Sequence, residues 1–432
     1  MDINLPKLYK DYGQYSNYRN FPLDIDGLKP VERRVLLSAF KIAKAKFVKS
    51  RQVDAYTIGH YHPHGECYGT VVQLVRQGFL IGQGNFGTNV GIEPVGPAAP
   101  RYTECKISPK TIDMAFKYVE YVDWVTNEFG EKEPSFLPIM YPACLMGTDY
   151  TQGIGFGFKT VIPCYEENDL KQRLLWLLGI RKRKPIIAPI TNCTITASQE
   201  DIEKLLTVGK SKISVEGILI EEPRLNTVTL KSWPPGKKFA SLLNKFSKEL
   251  ADGLIGFTDV SVTETEIKFQ VLRERNRDKI YQDFVEKLKD AIKGDISFEI
   301  NLTNLDQKVI VKPVDNMLLD TYNMFLSTNE KMLKHETGKL TELIDEYNAL
   351  EIIRKPLGKN ISEDFNIEDA LVEIERTTTV TAETARFLIS KYKINKLFTL
   401  NTDTTEIDNK IKELTTNLNN LNNFVLEQYN GI

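Results

Sequence analysis

The chain has 432 residues and a formal net charge of −2, with 41% apolar and 26% charged residues. That length allows two or three domains, and that balance is typical of a soluble globular protein. No run approaches the roughly 20 apolar residues of a membrane span, which excludes a membrane protein. The five cysteines are odd in number and never form C-x-x-C, which excludes a disulfide framework and indicates reduced thiols in the cytoplasm.

Charge is distributed unevenly along the chain. Basic residues outnumber acidic ones in the first 120 positions, and the remainder is acidic. A local basic surface is enough to hold a phosphate backbone even on an acidic protein. The basic run from Lys41 to Arg51 could therefore contact nucleic acid, or it could be a solvated helix face.

The N-terminal region is predicted to be an irregular, tyrosine-rich arm over residues 1–25. A helix is predicted from Lys29-Pro30 to about Phe47, since proline is favoured in the first helical turn. A helix N-terminus that carries arginines is a natural phosphate site. Lys29, Arg33 and Arg34 are therefore candidate phosphate contacts.

Three of the four histidines, His60, His62 and His64, lie within five positions. Such spacing could open a zinc site, but zinc needs further ligands, and the remaining histidine, His335, lies in a long helical stretch. A short amphipathic helix is predicted after them, over residues 66–77.

The next motif is a glycine-rich loop. Gly82, Gly84 and Gly87 match the dinucleotide pattern G-x-G-x-x-G. That fingerprint also needs a helix directly after the loop, and residues 88–94 cannot start one cleanly. The nucleotide-binding interpretation is therefore weak. Tyr102 follows, and as one of 18 tyrosines it would by itself be read as a core or interface residue.

The middle of the chain, residues 190–310, alternates strand-like and helical runs, which predicts an α+β domain. Before it, Ile154 lies between small residues in the stretch Gly153–Gly157. Without further context it is interpreted as a buried strand residue. The basic patch Arg181–Lys184 either flanks nucleic acid or forms a solvated turn.

Periodicity changes near the C-terminus. Apolar residues from Leu318 to Leu350, and again from Ile407 to Val425, form helical seams, and the second alternates steps of four and three. A compact apolar segment, residues 357–400, separates the two seams. Together they predict an antiparallel coiled coil with a small globular tip.

Four motifs together resemble the breakage-reunion subunit of type IIA DNA topoisomerases, the gyrase A and topoisomerase IV A family. They are Asp26–Arg34 (DGLKPVERR), Tyr61–Gly65 (YHPHG), the Gly82–Gly87 loop and Arg101–Glu104 (RYTE). Their order and spacing match the family over the first 165 residues, and the chain is most similar to the medium subunit of bacteriophage enzymes. Glu32 stands where the family usually has histidine, and Ile25 where it usually has arginine.

The resemblance implies an α+β multidomain fold. Its expected parts are an N-terminal arm (1–25), a winged-helix domain with the catalytic tyrosine (26–120), an α/β tower (121–312), a coiled coil (313–356 and 401–432) and a helical C-gate dimerisation domain (357–400). In this fold the helix over residues 66–77 is similar to a recognition helix, and the arm helps to bind the partner subunit.

The same resemblance implies roles for individual residues. Tyr102 would form a transient 5′-phosphotyrosyl bond, Arg101 would stabilise the phosphate, and His64, supported by His62, would donate or shuttle a proton. Expected DNA contacts are Lys29, Arg33, Arg34, His60, Gln83 and Asn85, with Ile154 as the wedge that bends DNA. Expected C-gate contacts are Phe387, Leu388, Ile394 and Leu397.

Cofactors are expected on a partner chain. The family binds Mg²⁺ in a TOPRIM domain and ATP in an ATPase domain of a gyrase B-like subunit, and this sequence has neither an acidic metal motif nor a P-loop. The expected partners are double-stranded DNA, a second copy of this chain through the C-gate, and the TOPRIM/ATPase subunit. Because the chain stops at Ile432, without room for a wrapping domain, the reconstituted enzyme is expected to relax and decatenate DNA and not to introduce negative supercoils.

A non-catalytic winged-helix DNA-binding scaffold with a coiled-coil dimer is the alternative. It would use the same basic helix and the same apolar seams. It has no use for Arg101-Tyr102 beside His62 and His64.

Overall fold

The computed structural model describes residues 5–148, 150–272, 275–359, 367–392 and 397–430. The chain divides into two compact units, one ending at Phe325 and the other beginning at Leu326. Helices and strands both contribute, so the prediction of a mixed α+β chain is confirmed. Within the described ranges, no helix is both long and apolar enough to cross a membrane.

The N-terminal region forms a helix, α1 (Leu5–Asn20), so the prediction of an irregular arm is wrong. One face of α1 is fastened to a hairpin far along the chain. The Asn17 side chain donates to the Phe156 carbonyl (3.2 Å) and accepts from the Phe156 amide (2.7 Å). Gly13 lies against the ring of Phe156, where a Cβ would come within 2.8 Å. These long-range contacts stabilise a helix that the local sequence does not predict.

A helical group with a small sheet follows. Its elements are α2 (Pro30–Ile42), β1 (Val48–Lys49), α3 (Ser50–His60), α4 (Tyr68–Arg76), β2 (Leu80–Gln83) and β3 (Glu104–Ile107), and the antiparallel sheet has the order β1-β3-β2. Helix α2 ends earlier than the predicted Phe47, because Val48 pairs with Cys105 in the sheet. Apolar side chains of α2, α3, α4 and β2 are buried together, among them Leu36, Val53 and Leu74.

Two hairpins connect this group to the next domain. After α5 (Pro109–Thr111) and a π-helical turn (Ile112–Phe116), β4 (Trp124–Thr126) pairs with β5 (Lys132–Pro134). Then β6 (Thr151–Ile154) pairs with β7 (Lys159–Ile162), and α6 (Glu167–Leu177) follows. Ile154 is the last residue of β6, so it lies where the second hairpin turns.

The second half of the first unit contains two larger sheets. Their elements are β8 (Thr194–Ile195), α7 (Gln199–Val208), β9 (Lys210–Glu216), β10 (Leu219–Glu222), β11 (Thr227–Leu230), α8 (Phe239–Leu243), α9 (Ser247–Ala251), β12 (Ile255–Asp259), β13 (Ile267–Val271), α10 (Arg277–Ala291), β14 (Lys293–Glu299), β15 (Asn301–Thr303) and β16 (Val309–Val311). A five-stranded sheet has the order β6-β7-β14-β9-β8, and a four-stranded antiparallel sheet has the order β10-β11-β13-β12. A core that includes Phe246, Phe269 and Phe284 joins the four-stranded sheet to α8 and α10.

The second unit is helical in the part that the structure describes. Helix α11 (Val314–Lys359) continues into it from the first unit, and α12 (Ile367–Thr377), α13 (Ala382–Tyr392), α14 (Thr405–Asn419) and α15 (Leu421–Asn430) follow. The Gln428 amide donates to Asn329 Oδ1 (2.9 Å), and the Arg354 guanidinium donates to the Leu397 carbonyl (2.9 Å). Early α11 therefore meets the chain end while late α11 meets residue 397, which is an antiparallel arrangement. Val425 and Leu414 of the predicted seam are buried.

Candidate active site

Tyr102 lies on a loop whose backbone is fixed while its side chain is 65% exposed. The buried Thr103 accepts a hydrogen bond from the Ser50 amide (2.9 Å) and donates one to the Ser50 hydroxyl (2.8 Å). The Pro100 carbonyl accepts from the Arg51 amide (3.1 Å). Because Ser50 and Arg51 open α3, the loop uses N–H groups that have no partner inside the helix. The phenol thus projects into solvent from an anchored backbone.

Arg101 accompanies Tyr102. Its guanidinium carbon lies 4.6 Å from the centroid of the Tyr102 ring, which is cation–π geometry, and the side chain is exposed. A guanidinium presents several N–H donors in a fixed fork, so it can bind a phosphate that approaches the phenol. Because the two residues are adjacent, the local sequence alone brings this cation and this phenol together.

The glycine loop, Gly82–Gly87, packs against the backbone of the tyrosine loop. Gly84 has a φ of +104°, and a Cβ there would come within 3.2 Å of the Tyr102 carbonyl oxygen, so a larger residue is strained and crowded. The Tyr68 hydroxyl donates to the Ala98 carbonyl (2.7 Å). After the loop, Thr88 pairs with Val95 in an isolated β-bridge where a dinucleotide fingerprint would need a helix. The loop therefore holds the tyrosine segment and is not a nucleotide site.

Gln83 and Asn85, two of the predicted DNA contacts, are exposed on this loop. The Asn85 side-chain oxygen accepts from the Gly87 amide (2.7 Å), so that oxygen stabilises the loop itself. Asn85 is therefore proposed to reach DNA through its side-chain NH₂ group.

A second anchor ties the tyrosine loop to the four-stranded sheet. The Ile92 amide donates to Asp259 Oδ2 (2.9 Å), and the Gly91 amide donates to the Thr265 hydroxyl (3.1 Å). The Ile92 side chain packs against the core of that sheet. The loop is therefore held at both ends, by α3 and by a domain more than 160 residues away in sequence.

Two of the clustered histidines line a cavity of about 310 Å³, here called the histidine cavity. Its walls come from α1, α2, the loop after α3 and the β4–β5 hairpin, and its polar lining includes Tyr15, Tyr18, Arg19, Arg34, His62, His64, Asn127, Glu128 and Glu133. Neither Tyr102 nor Arg101 lines it. Within one chain, the structure thus brings His62 and His64 together with Arg34 but not with the tyrosine.

His62 is buried, with 9% of its surface exposed. Burial, followed by the positive charge of Arg34, lowers the pKa of His62 to about 4, so the ring is neutral at pH 7. Its Nδ1 atom is buried without a hydrogen-bonding partner among the described residues. His62 packs edge-on against His64 at a centroid distance of 5.2 Å, which suits a supporting position.

His64 is the more accessible ring of the pair. Its Nε2 atom contacts the hydroxyl of Tyr15 on α1, and the two rings meet edge to face, at 62° and 5.7 Å between centroids. Burial, followed by the charge of Arg19, lowers the pKa of His64 from its ordinary value. His64 is therefore also mainly neutral at pH 7.

His60 points elsewhere. Its ring stacks on Tyr56 at 4.0 Å and its Nδ1 atom lies 2.9 Å from the Tyr56 carbonyl oxygen. The three histidines therefore do not converge on one point. Within the described ranges, no group of three His, Cys, Asp or Glu side chains is placed to hold a metal ion.

The basic residues that open α2 have different environments. Arg33 is buried and forms a two-bond ion pair with Asp26, Nε to Oδ2 at 2.7 Å and Nη2 to Oδ1 at 3.0 Å. This corrects the prediction that Arg33 contacts a phosphate, because its guanidinium is inside the protein. Arg34 pairs with Glu133 (2.8 Å) at the cavity wall, and the Lys29 ammonium donates to the Gln152 carbonyl (2.6 Å).

Glu32, which departs from the family pattern, is buried under the start of α2. Its carboxylate accepts from the Lys29 amide (2.9 Å) and from the Gln73 side chain (3.4 Å). It therefore stabilises the helix N-terminus and is not a surface charge near a phosphate.

Ile154 is 74% exposed, which excludes the interpretation as a buried strand residue. The glycines on either side explain how it is presented. A Cβ on Gly153 would lie 2.4 Å from the Asn20 carbonyl oxygen, and one on Gly155 would lie 2.0 Å from Asn17 Oδ1. The small residues allow the hairpin to pack tightly on α1 while Ile154 projects outward.

The predicted dimer contacts differ in exposure. Leu388 and Leu397 are buried at 1% and 0% exposure in the core of the second unit, which they share with Ile353 and Ile374. Their side chains fill the tip itself and are not available to a partner. Phe387 is 56% exposed, and Ile394 lies outside the described residues.

Sequence reasoning missed three contributors to the site. Tyr15 and Arg19 reach the histidine cavity from α1, and Asp259 holds the tyrosine loop from the four-stranded sheet. The tyrosine-rich composition of the arm was the only signal for Tyr15, and Asp259 had none.

Comparison with known proteins gives consistent matches. A family model that describes the A subunit of DNA gyrase and topoisomerase IV matches residues 19–430. The DNA gyrase A subunit of Mycolicibacterium smegmatis is 28% identical over 315 residues, covering 66% of this chain and 36% of that protein. The gyrase A subunit of Campylobacter jejuni is 39% identical over 174 residues, covering 37% and 19%. The DNA topoisomerase 4 A subunit of Escherichia coli is 29% identical over 280 residues, covering 57% and 35%. The matched parts span between 19% and 36% of the length of these three relatives.

Proposed function

This chain belongs to the family of DNA gyrase and topoisomerase IV A subunits, and we propose that it is the DNA cleavage and religation subunit of an ATP-dependent type IIA topoisomerase. The observation that carries the proposal is the exposed Tyr102 phenol beside Arg101 on a loop anchored at both ends. A scaffold protein would gain nothing from presenting a tyrosine in this way.

In the proposed reaction, the Tyr102 oxygen attacks a backbone phosphorus of DNA. The phenol proton passes to solvent as the new O–P bond forms. The bond from phosphorus to the 3′ oxygen breaks, and the departing 3′ oxygen takes up a proton from solvent to become a 3′-hydroxyl. The 5′-phosphotyrosyl ester conserves the bond energy, so attack by the 3′-hydroxyl reseals the strand without ATP. Arg101 would donate hydrogen bonds to the phosphate oxygens as negative charge builds up on them.

In one chain His62 and His64 line the histidine cavity, and Tyr102 lies outside it. We infer that the active site is completed by a second copy of the chain. Tyr102 of one protomer would act at the histidine cavity of the other, where His62, His64 and Arg34 would meet the phosphate. A two-fold dimer then has two equivalent sites and cuts both strands.

The DNA-binding module we propose is a winged helix. The chain order α2, β1, α3, α4, β2 and β3, with an antiparallel β1-β3-β2 sheet, is the order that this module needs, with α4 as the proposed recognition helix. Lys29, Arg34, His60, Gln83 and Asn85 remain proposed contacts to DNA. Ile154 is the proposed wedge, since an exposed apolar residue at a hairpin end can unstack a base step and bend the duplex.

The antiparallel helices of the second unit support a coiled coil that ends in a dimerisation tip. Phe387 is the proposed contact there, and exposed apolar side chains nearby, such as Val372 (67%) and Phe398 (40%), could extend it. A homodimer through this C-gate would hold the two copies together while the DNA gate is open.

Mg²⁺ and ATP are proposed to belong to a gyrase B-like partner with TOPRIM and ATPase domains. Among the described residues, no three side chains of the types His, Cys, Asp and Glu lie close enough together to hold a metal ion. Relaxation and decatenation of DNA, a cytoplasmic location and a bacteriophage origin stay predictions.

A covalent-trapping assay tests the proposal. The chain is mixed with its partner subunit, Mg²⁺ and end-labelled duplex DNA, and the reaction is stopped with detergent. We expect a protein–DNA adduct at the 5′ end with the wild type and none with Tyr102→Phe, while both bind DNA equally. DNA binding without any adduct from the wild type would favour the non-catalytic scaffold.

Mixed dimers test the completion of the site by a second copy. One protomer carries Tyr102→Phe and the other carries His64→Ala. If the site is shared, one of the two sites retains both groups and the mixed dimer nicks DNA at close to half the wild-type rate. If each chain builds its own site, both sites are defective and nicking is as slow as in the His64→Ala homodimer.

A further inference from the structure

The contact between Tyr15 and His64 connects α1 to the histidine cavity. The Tyr15 hydroxyl lies against Nε2 of His64, although the two residues are 49 positions apart. The Tyr15 ring is itself held by Arg19, whose guanidinium carbon is 5.8 Å from the ring centroid. The position of His64 is therefore set by a helix that is not part of the motif that contains it.

The direction of this hydrogen bond follows from the protons that are available. Burial raises the pKa of Tyr15, so the phenol keeps its proton at pH 7. In the described structure the Tyr15 hydroxyl has no second acceptor, so its proton is donated to Nε2. A neutral imidazole that accepts at Nε2 carries its single proton on Nδ1.

The charges around His64 agree with a neutral ring. Arg19 faces it from α1 and Arg34 from α2, and both lower its pKa, while Glu128 on the β4–β5 hairpin acts in the opposite sense. His62, in the same loop, is neutral as well. Tyr15 is the remaining titratable group in contact with the ring.

We propose that Tyr15 is a positioning residue that holds His64 in the Nδ1–H form, so that His64 donates a hydrogen bond to the DNA phosphate and is not the base that deprotonates Tyr102. The proposal rests on the proposed cleavage function and adds a residue and a proton assignment to it. With Nε2 engaged by Tyr15 and Nδ1 protonated, His64 has no free lone pair for the Tyr102 proton.

The proton assignment can be measured without any cleavage. The full chain has four histidines, so selective ¹⁵N-histidine labelling gives few signals, and His64→Asn identifies those of His64. At pH 7.5 we expect Nδ1 of His64 to appear as a protonated nitrogen and Nε2 as an unprotonated one. In Tyr15→Phe the two forms should mix. A protonated Nε2 in the wild type overturns the proposal.

The effect on the reaction is a separate measurement on the complete complex with DNA and the partner subunit. Tyr15→Phe keeps the ring and removes only the hydroxyl, so we expect a cleavage rate about tenfold lower with unchanged DNA affinity, the loss of one hydrogen bond that acts in the transition state. Tyr12→Phe, on the same helix and 62% exposed, is the matched control.

A double variant separates positioning from a general effect on folding. In a His64→Ala background, Tyr15→Phe should cause no further loss of cleavage, since there is no imidazole left to orient. Wild-type cleavage by Tyr15→Phe, or an equal loss in both backgrounds, contradicts the proposal. Failure of the wild type to form an adduct would instead refute the cleavage function, and the labelled histidine spectrum distinguishes the two failures.

Discussion

Arg33 and Asp26 form an ion pair inside the first unit, with two hydrogen bonds of 2.7 and 3.0 Å and side-chain exposures of 7% and 0%. The Asp26 carboxylate also accepts from the amides of Leu28 and Leu137, both at 3.0 Å. The pair thus connects the start of α2 to a segment more than 100 residues later. The basic motif Asp26–Arg34, which was predicted to face DNA, therefore also stabilises the fold.

Arg33→Ala should destabilise the first unit strongly. Removing one partner of a buried pair leaves the Asp26 charge uncompensated, which costs about 3–5 kcal/mol. Urea unfolding followed by tryptophan fluorescence measures it, since the three tryptophans, Trp124, Trp176 and Trp233, all lie in this unit.

Arg101→Ala is the matched control for that experiment. Its side chain is exposed, so the unfolding midpoint should not change, but cleavage should slow by about 10²–10³-fold, the loss of one transition-state donor. An Arg33→Ala variant as stable as the wild type would show that the pair is dispensable.

Local motifs were enough to identify the candidate tyrosine site, but not the residues around it. Tyr102, Arg101 and the supporting glycines are close in sequence, so their pattern could be read directly. The buried position of Arg33 could not be predicted, because a charge pattern does not show which side of a helical turn is buried. The helical state of α1 depends on Asn17 and its partner 139 residues away, which no local propensity encodes. For the same reason the leucines of the tip were assigned to a dimer surface when they fill its core.

Ile154→Ala should reduce DNA bending without changing stability. The side chain is 74% exposed, so truncation removes little packing. Unstacking a base step costs about a few kcal/mol, which the wedge offsets, so the variant should bend DNA less and cleave it more slowly. Fluorescence transfer between the ends of a labelled duplex measures the bend. Leu225→Ala, also apolar and 60% exposed, should bend DNA normally. Equal bending by both variants would remove Ile154 from the wedge position.

Asp259→Ala should loosen the tyrosine loop from a distance. The variant loses the acceptor for the Ile92 amide, a bond worth about 1 kcal/mol. We expect cleavage a few-fold slower, normal DNA affinity and faster proteolysis within residues 87–98. Asp252→Ala, in the same domain and exposed, serves as the control. Unchanged proteolysis of the loop would show that the contact does not hold it.

Stability should fall on acidification because of His62. Its pKa is lowered to about 4 in the folded protein, so between pH 6.5 and 4 the unfolded chain binds the additional proton and the folded state is disfavoured. Well above pH 6.5 His62 is neutral in both states, so the free energy of unfolding is at its full value there. By pH 5 about 2 kcal/mol of it is lost. Urea unfolding of the wild type and His62→Gln at pH 7.5 and 5 checks the sign. The variant cannot take up this proton, so its loss should be smaller, and an equal loss would assign the effect to other groups.

The identity of the DNA-linked residue is the most direct test of the account. Trapped adduct is digested with nuclease and trypsin and examined by mass spectrometry. Cleavage after Arg101 and Lys106 releases residues 102–106, in which Tyr102 is the one tyrosine. We predict a nucleotide 5′-phosphate on Tyr102 in the wild type and its absence from Tyr102→Phe. A nucleotide on any other residue, or adduct formation by Tyr102→Phe, would contradict it.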